Sequence, residues 1–227
     1  FPSASAAWVI SEEEFMKQLP MVDNLKFRIG YGLAGNQSGI DSYTTLNLVK
    51  PNGVVPVGNS AVVSLGDLRN TNPDLKWEVK HTFNTGIDVA LFGLLLSANY
   101  YNSRTTDMLY LYNVSVPPFT YNTLLANIGS MRNWGTEIAI GITPLKTKDM
   151  ELNINANITF QRNKLLSLSG MYNGEMLSAP EYKSLAGLDG AGFHGGYNHI
   201  VYQMVGQPLG VFYLPHSTGL ESDGNGG

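Results

Sequence analysis

The chain of 227 residues contains no cysteine, which removes disulfide scaffolds, thiolate zinc sites and thiol nucleophiles together. Charge is scarce as well, with Asp, Glu, Lys and Arg supplying 14% of the residues. The 14 basic residues face 18 acidic ones for a net charge of -4, and no basic run occurs along the sequence. Read linearly, the chain offers neither the electrostatic footprint of a nucleic-acid binder nor a polybasic patch for a lipid headgroup. Long apolar runs are missing too. No stretch approaches the ~18 uninterrupted apolar residues of a membrane-spanning helix, so strands are left as the means of any membrane passage.

Signals for chemistry are equally thin. His81, His194, His199 and His216 lack the close His or carboxylate spacing of a metal site. Gly190 to Gly196 is glycine-rich without a Lys-Ser/Thr phosphate grip, no G-x-S-x-G elbow occurs, and Asp223-Gly224-Asn225 reads as a turn rather than a calcium loop. The sequence therefore predicts no catalytic residue, metal site or cofactor.

What is present is aromatic and alternating. Nine Phe, 12 Tyr and 3 Trp within a 43% hydrophobic composition argue against disorder. Segment after segment places apolar and polar residues at period two, the signature of a strand with two different faces. Leu25, Phe27, Ile29, Tyr31 and Leu33 share one face; so do Trp77, Val79, His81, Phe83, Thr85, Ile87, Val89 and Leu91. A third run goes from Leu94 toward Tyr110, a fourth from Trp134 to Ile142, and a fifth from Met150 to Gln161. Strands of soluble proteins typically hold about 5 or 6 residues, whereas a membrane-spanning strand needs about 9 to 11. Alternation alone fits both a soluble sandwich and a membrane barrel, and the strand length favours the barrel.

Connections divide into two kinds. Phe92-Gly93 and Pro144 to Asp149 are short; Asn36 to Pro73, Leu111 to Gly129 and Ser169 to Pro208 are long, and the long ones all fall at one end of the sheet. Trp77, Trp134, Tyr100 and Tyr101 sit toward the long-loop end and Trp8 and Phe92 toward the other, as two interfacial girdles would. Ser11 with Glu14 matches a capping box, predicting a short helix between Trp8 and Leu25.

Seven phrases, in order, then carry a resemblance. They are Phe1-Pro2-Ser3 with Ala6-Ala7-Trp8 and Ser11-Glu12-Glu13-Glu14-Phe15; Leu25-Lys26-Phe27-Arg28-Ile29-Gly30-Tyr31-Gly32 with Gly35-Asn36; Asn72-Pro73-Asp74-Leu75-Lys76-Trp77-Glu78; Asn84-Thr85-Gly86-Ile87-Asp88; Tyr100 to Leu109; Asn127-Ile128-Gly129-Ser130-Met131 with Gly135-Thr136-Glu137; and Val205 to Tyr213. The set resembles the SusC/RagA family of TonB-linked outer-membrane proteins. That resemblance implies an all-β fold of antiparallel strands forming part of a transmembrane barrel of about 22 strands, with long loops on the extracellular side. It also implies that residues 1–227 are a barrel fragment, incomplete at both ends, with the plug and the TonB-binding segment lying upstream. The implied function is nutrient import across the outer membrane, of oligosaccharides or peptides, with a SusD-like surface lipoprotein and TonB as partners and no enzymatic activity.

Two groups of site residues follow. Arg28, Lys76, Glu78, Lys80, Asp88, Glu137, Glu151, Asn153 and Asn155 are expected to face the lumen, opposite the lipid face. Tyr43, Tyr112, Phe119, Tyr121, Tyr172, Tyr182, Tyr197 and Tyr202 are expected on loops that meet ligand or partner. The competing reading of the same loops is a soluble β-sandwich module that binds carbohydrate, and a hydrolase using scattered Asp and Glu stands behind it.

Overall fold

Residues 1–19, 21–187, 199–214 and 216 are described by the computed structural model. Their alternating runs become one sheet of six antiparallel strands, in the order β1 (Ser3–Val9), β2 (Val22–Asn36), β5 (Glu78–Leu91), β6 (Leu94–Thr106), β9 (Ser130–Lys146) and β10 (Glu151–Ser167). Between the members of that order lie two hairpins, β3 (Val49–Val57) with β4 (Ser60–Asp67) and β7 (Leu109–Asn113) with β8 (Thr123–Asn127). Beyond β10 come a hairpin of β11 (Ser169–Tyr172) with β12 (Glu175–Ser178), then a small sheet of β13 (Tyr182–Gly187), β14 (His199–Met204) and β15 (Val211–Phe212). The sheet does not close on itself.

Register shows why the alternation is so regular. Phe27 pairs with Ile87, Ile87 with Ala98, Ala98 with Ile138 and Ile138 with Ile158, so one apolar row crosses five strands without a break. The next row, two residues away along each strand, holds Ile29, Thr85, Tyr100, Thr136 and Phe160. A one-residue slip anywhere would turn a whole strand over, and the sheet shows none between these rows. Among the described residues no second layer covers either face. Ile29, Ile140, Ile158 and Phe160 stand exposed, although water would penalise each of them.

The packed core lies elsewhere, in the tier of hairpins at the long-loop end. Ala126, Ile128, Leu165, Leu168 and Ala179 are buried together there, with Tyr110, Tyr112, Leu177 and Val205 against them. Hence the three long connections contain ordered hairpins rather than plain loops. Val54 and Val55 opposite Val63 and Val62 supply the β propensity of the first one.

Three local expectations need correction. The segment after β1 forms two short 3₁₀ turns, Ile10–Glu12 and Glu14–Gln18, neither capped by a side chain. Between the two turns Glu13 is extended (φ -73°, ψ 147°), which breaks the helical path, and its carboxylate accepts a hydrogen bond from the Trp8 indole (2.8 Å). The extended run from Leu94 ends at Thr106, because Asp107 adopts φ 54° and redirects the chain into β7. Strand β5 starts at Glu78, so Lys76 precedes the strand rather than lying on its polar face.

Short turns gather at the opposite end, as expected. Phe92 and Gly93 both take positive φ (50° and 78°), the two-residue geometry that matches strand twist.

Candidate functional site

On the face opposite the isoleucines, the side chains of β2, β5 and β6 form a connected polar network. Arg28 and Asn99 flank Gly86 in a single row, and Lys26, Asp88 and Ser97 make up the next one. Arg28 donates to both carboxylate oxygens of Asp88 (2.8 and 2.9 Å) and to Asn99 Oδ1 (2.7 Å), while the Ser97 hydroxyl donates to Asp88 Oδ1 (2.8 Å). The guanidinium can cross β5 because Gly86 has no side chain in the way. Both charged partners remain partly wet, so solvent screening limits the pair to about 1 kcal/mol. Next to this network, a recess of about 390 Å³ is lined by Asn24, Asp88, Leu95, Ser97, Asn155 and Asn157.

Glycine recurs on this face with the same function. Tyr101 lies over Gly135 and Asn155 over Gly141, so each gap in the strand is roofed by a neighbour's polar or aromatic side chain. Farther along, Lys80, Thr82, Tyr101, Ser103, Asn133 and Gln161 border a second recess of about 480 Å³. At the short-turn end Asn153 accepts from Thr143 (2.6 Å) and donates to Glu151 (3.1 Å), which also faces Lys146 at 3.7 Å.

Three asparagines fasten the rim to this wall. The Asn70 amide donates to the carbonyls of Tyr121 (2.5 Å) and Thr123 (2.8 Å), and its Oδ1 accepts from the backbone of Thr120 and Tyr121 (3.1 Å each). Asn72 reaches the Leu125 carbonyl (3.0 Å). Asn127 completes the set: it accepts from Lys76 N (2.8 Å) and donates to the carbonyls of Lys76 (2.8 Å) and Asp107 (2.7 Å). Residues 70–76 thus run beside β8 with side-chain amides in place of a backbone ladder, which accounts physically for the Asn-x-Asn-Pro phrase.

The expected residues distribute as follows. Arg28, Lys80, Asp88, Glu137, Glu151, Asn153 and Asn155 share the polar face. Glu78 sits at its upper edge, accepting from Leu109 N (3.0 Å) and Asn36 (2.8 Å), and Lys76 stands exposed near Asp107 at 4.0 Å. Of the aromatic residues, Tyr43 and Tyr182 are exposed. Tyr121 donates to the Asp67 carbonyl (2.7 Å) and Tyr112 to that of Ser178 (3.3 Å), while Phe119 packs on Tyr172 and Tyr202 on Tyr213. These five expected residues, Tyr112, Phe119, Tyr121, Tyr172 and Tyr202, brace the hairpin tier. Tyr197, His194, Gly190 to Gly196 and Asp223 to Asn225 lie outside the described residues. Ser97, Asn99, Asn70 and Asn127 were missed in the sequence reading as site residues; the signal for the first two was their position in rows beside Asp88 and Gly86.

Comparison with known proteins agrees with this geometry. A family model described as TonB dependent receptor-like, beta-barrel matches residues 1–226. TonB-dependent receptor P26 of Formosa agariphila is 34% identical over 179 residues, which is 75% of this chain and 17% of that protein. TonB-dependent receptor SusC of Bacteroides thetaiotaomicron is 31% identical over 175 residues, again 75% of this chain and 17% of the relative. The chain therefore spans about a sixth of the length of these relatives, and both are receptors rather than enzymes. Among solved structures, the RagAB peptide importer in its open-open state superposes with a TM-score of 0.71 at 23% identity, covering 92% of this chain and 20% of that one. Its closed-closed state gives 0.68 over the same shares. This chain belongs to the TonB-dependent receptor β-barrel family, whose members are outer-membrane proteins.

Proposed function

We propose that these six strands form one side of the barrel of a SusC-type nutrient importer, with the isoleucine face toward lipid and the Arg28–Asp88 face toward the lumen. The observation that carries this reading is the separation of the two faces: apolar rows cross five strands, and Asp88, Glu137 and Glu151 lie on the other side. A barrel wall needs that separation, because an ionised group facing hydrocarbon is costly whereas one facing a wet interior can stay solvated.

In the parent protein the polar wall would meet the plug, and the hairpin tier would meet substrate together with a SusD-like lipoprotein. The resemblance to the SusC/RagA family suggests an oligosaccharide or a peptide as the cargo, and the solved protein of like fold is a peptide importer. TonB, acting through the segment upstream of the barrel, would move the plug and open the lumen. Exposed Tyr43 and Tyr182 offer flat faces for a sugar ring or an apolar peptide side chain.

The test is to place single cysteines at Ile138, Glu137, Ile154 and Asn155 in the parent protein, in native membranes, on a cysteine-free background. Ile138 and Ile154 should take a lipid-soluble thiol reagent and the other two should not. Isoleucine positions that resist both lipid-soluble and water-soluble reagents would mean a protein core on that face and would overturn the importer reading.

A further inference from the structure

No basic run exists in the sequence, yet the sheet register assembles one. Above the apolar rows, at the long-loop end, His81 pairs with Arg104, Arg104 with Arg132, and Arg132 with Lys164. All four belong to the same face as the isoleucines. In the row beneath, Tyr31, Phe83, Asn102, Trp134 and Arg162 follow one another. The face therefore grades from cations through polar and aromatic side chains to aliphatic residues along β6, β9 and β10, with His81 and Phe83 at the matching positions of β5. Ten residues separate Arg132 from Ile142; at about 3.3 Å per residue and a tilt of about 40°, that is about 25 Å along a barrel axis, the height of an outer-membrane apolar band.

This arrangement is unfavourable for the fold alone. Like charges placed directly opposite on neighbouring strands repel, and three of them here occupy adjacent strands about 4.8 Å apart. No carboxylate lies on this face in β5, β6 or β9, and among the described residues Arg104, Arg132, Arg162 and Lys164 form no salt bridge. Arg132 is nevertheless held in place: its Nε donates to Asn102 Oδ1 (2.8 Å), and its guanidinium lies 4.9 Å from the centre of the Trp134 ring. The remaining guanidinium N–H groups stay free of those contacts. Below them a recess of about 560 Å³ is lined by Tyr100, Trp134, Thr136, Phe160 and Arg162, where small Thr136 separates two larger aromatic side chains.

We infer that this cation row with the aromatic recess beneath it binds the phosphate-bearing headgroup and upper acyl chain of an outer-leaflet lipid. Guanidinium groups grip phosphate oxygens in pairs, and a multivalent anion spanning three strands removes the repulsion that the row otherwise carries. The recess then receives the first part of an acyl chain directly below its headgroup. The inference rests on the reading that the isoleucine face meets lipid.

The experiment uses the full-length parent protein in phosphatidylcholine vesicles that carry, at equal mole fraction, either a brominated phosphatidic acid or a brominated phosphatidylcholine. Bromine quenching of Trp134 is taken as the difference between the wild type and Trp134→Phe. Quenching should be stronger with the phosphate monoester lipid, and that preference should fall about fivefold for each cation removed in Arg104→Gln and Lys164→Gln. The charge-retaining pair Arg104→Lys and Lys164→Arg should keep it, and Lys164→Gln alone provides the readout if the double variant does not insert. Equal quenching by both lipids, or a preference that survives loss of the cations, overturns the lipid site while leaving the importer reading intact. No quenching by either lipid means that the face is not in the bilayer, and then both fall.

Discussion

Replacing Gly86 with alanine probes whether the wall's ion network is held by the space that a missing side chain leaves. An added Cβ would clash with Asn99 Oδ1 and stand 3.1 Å from Arg28 Nη2 and 3.2 Å from the Ala98 carbonyl. The first two atoms are ends of side chains that can withdraw, so the strand survives and the Arg28–Asn99 hydrogen bond is lost. That bond is worth about 1 kcal/mol after screening. Against it, alanine in a strand interior gains about 0.5–1 kcal/mol over glycine from the unfolded chain. Gly86→Ala alone should therefore come out near neutral, at about 0–0.5 kcal/mol destabilising once the crowded Ala98 carbonyl is included. Asn99→Ala alone should cost about 1 kcal/mol. In the Asn99→Ala background the severest obstruction is gone, and Gly86→Ala should stabilise by about 0.5 kcal/mol. The assay is a double-mutant cycle on the parent barrel in detergent, read from urea unfolding. A coupling of about 0.5–1 kcal/mol supports the mechanism, and additivity within about 0.3 kcal/mol would refute it.

Other outcomes follow from single contacts. Gly135→Ala should be far worse than Gly86→Ala, by about 2 kcal/mol or more, because its Cβ would lie 2.6 Å from the Phe160 backbone carbonyl as well as 2.8 Å from Tyr101 Oη. Adding Tyr101→Ala should fail to rescue it, which the yield of folded barrel in membranes would reveal. Asn127→Ala removes three hydrogen bonds and should open residues 70–76 to limited proteolysis while the amides of β9 and β10 keep their protection against hydrogen exchange; unchanged cleavage would contradict the role given to that amide. Tyr43→Ala and Tyr182→Ala should lower uptake of the parent's substrate several-fold without changing barrel abundance, whereas Tyr121→Phe should loosen the rim through the Asp67 carbonyl and leave a substrate-facing surface unchanged.

The strands were legible because each obeys its own period of two, a purely local property. Leu25 to Leu33 and Leu152 to Phe160 could be assigned to faces from spelling alone, and the register agrees with both assignments. The hairpins of the rim were hidden for the opposite reason: Pro51, Gly53 and Pro56 interrupt the alternation, and only pairing of Val54 and Val55 with the partner strand makes that stretch extended. Asp88 and Arg28 were picked out as charges on a polar face, but their joining through Asn99 above Gly86 depends on which strands are neighbours. The row that crosses β5, β6, β9 and β10 above the aromatics was hidden for the same reason. His81, Arg104, Arg132 and Lys164 are far apart in sequence and become contiguous through registers that no single segment encodes. Of the tyrosines, the residue type indicated aromatic surface, and only packing separated the exposed Tyr43 from the bonded Tyr121.

The amide groups of Asn70, Asn72 and Asn127 bear on how such a barrel can change over generations. A segment tied down by side chains at three points has no ladder to keep in step, so residues 37–67 can lengthen, shorten or exchange their hairpin without moving β5 or β8. Variation in what the rim presents to the outside is thereby uncoupled from the register of the wall. A barrel whose rim can vary while its wall stays fixed gains from keeping those two requirements in separate stretches of chain.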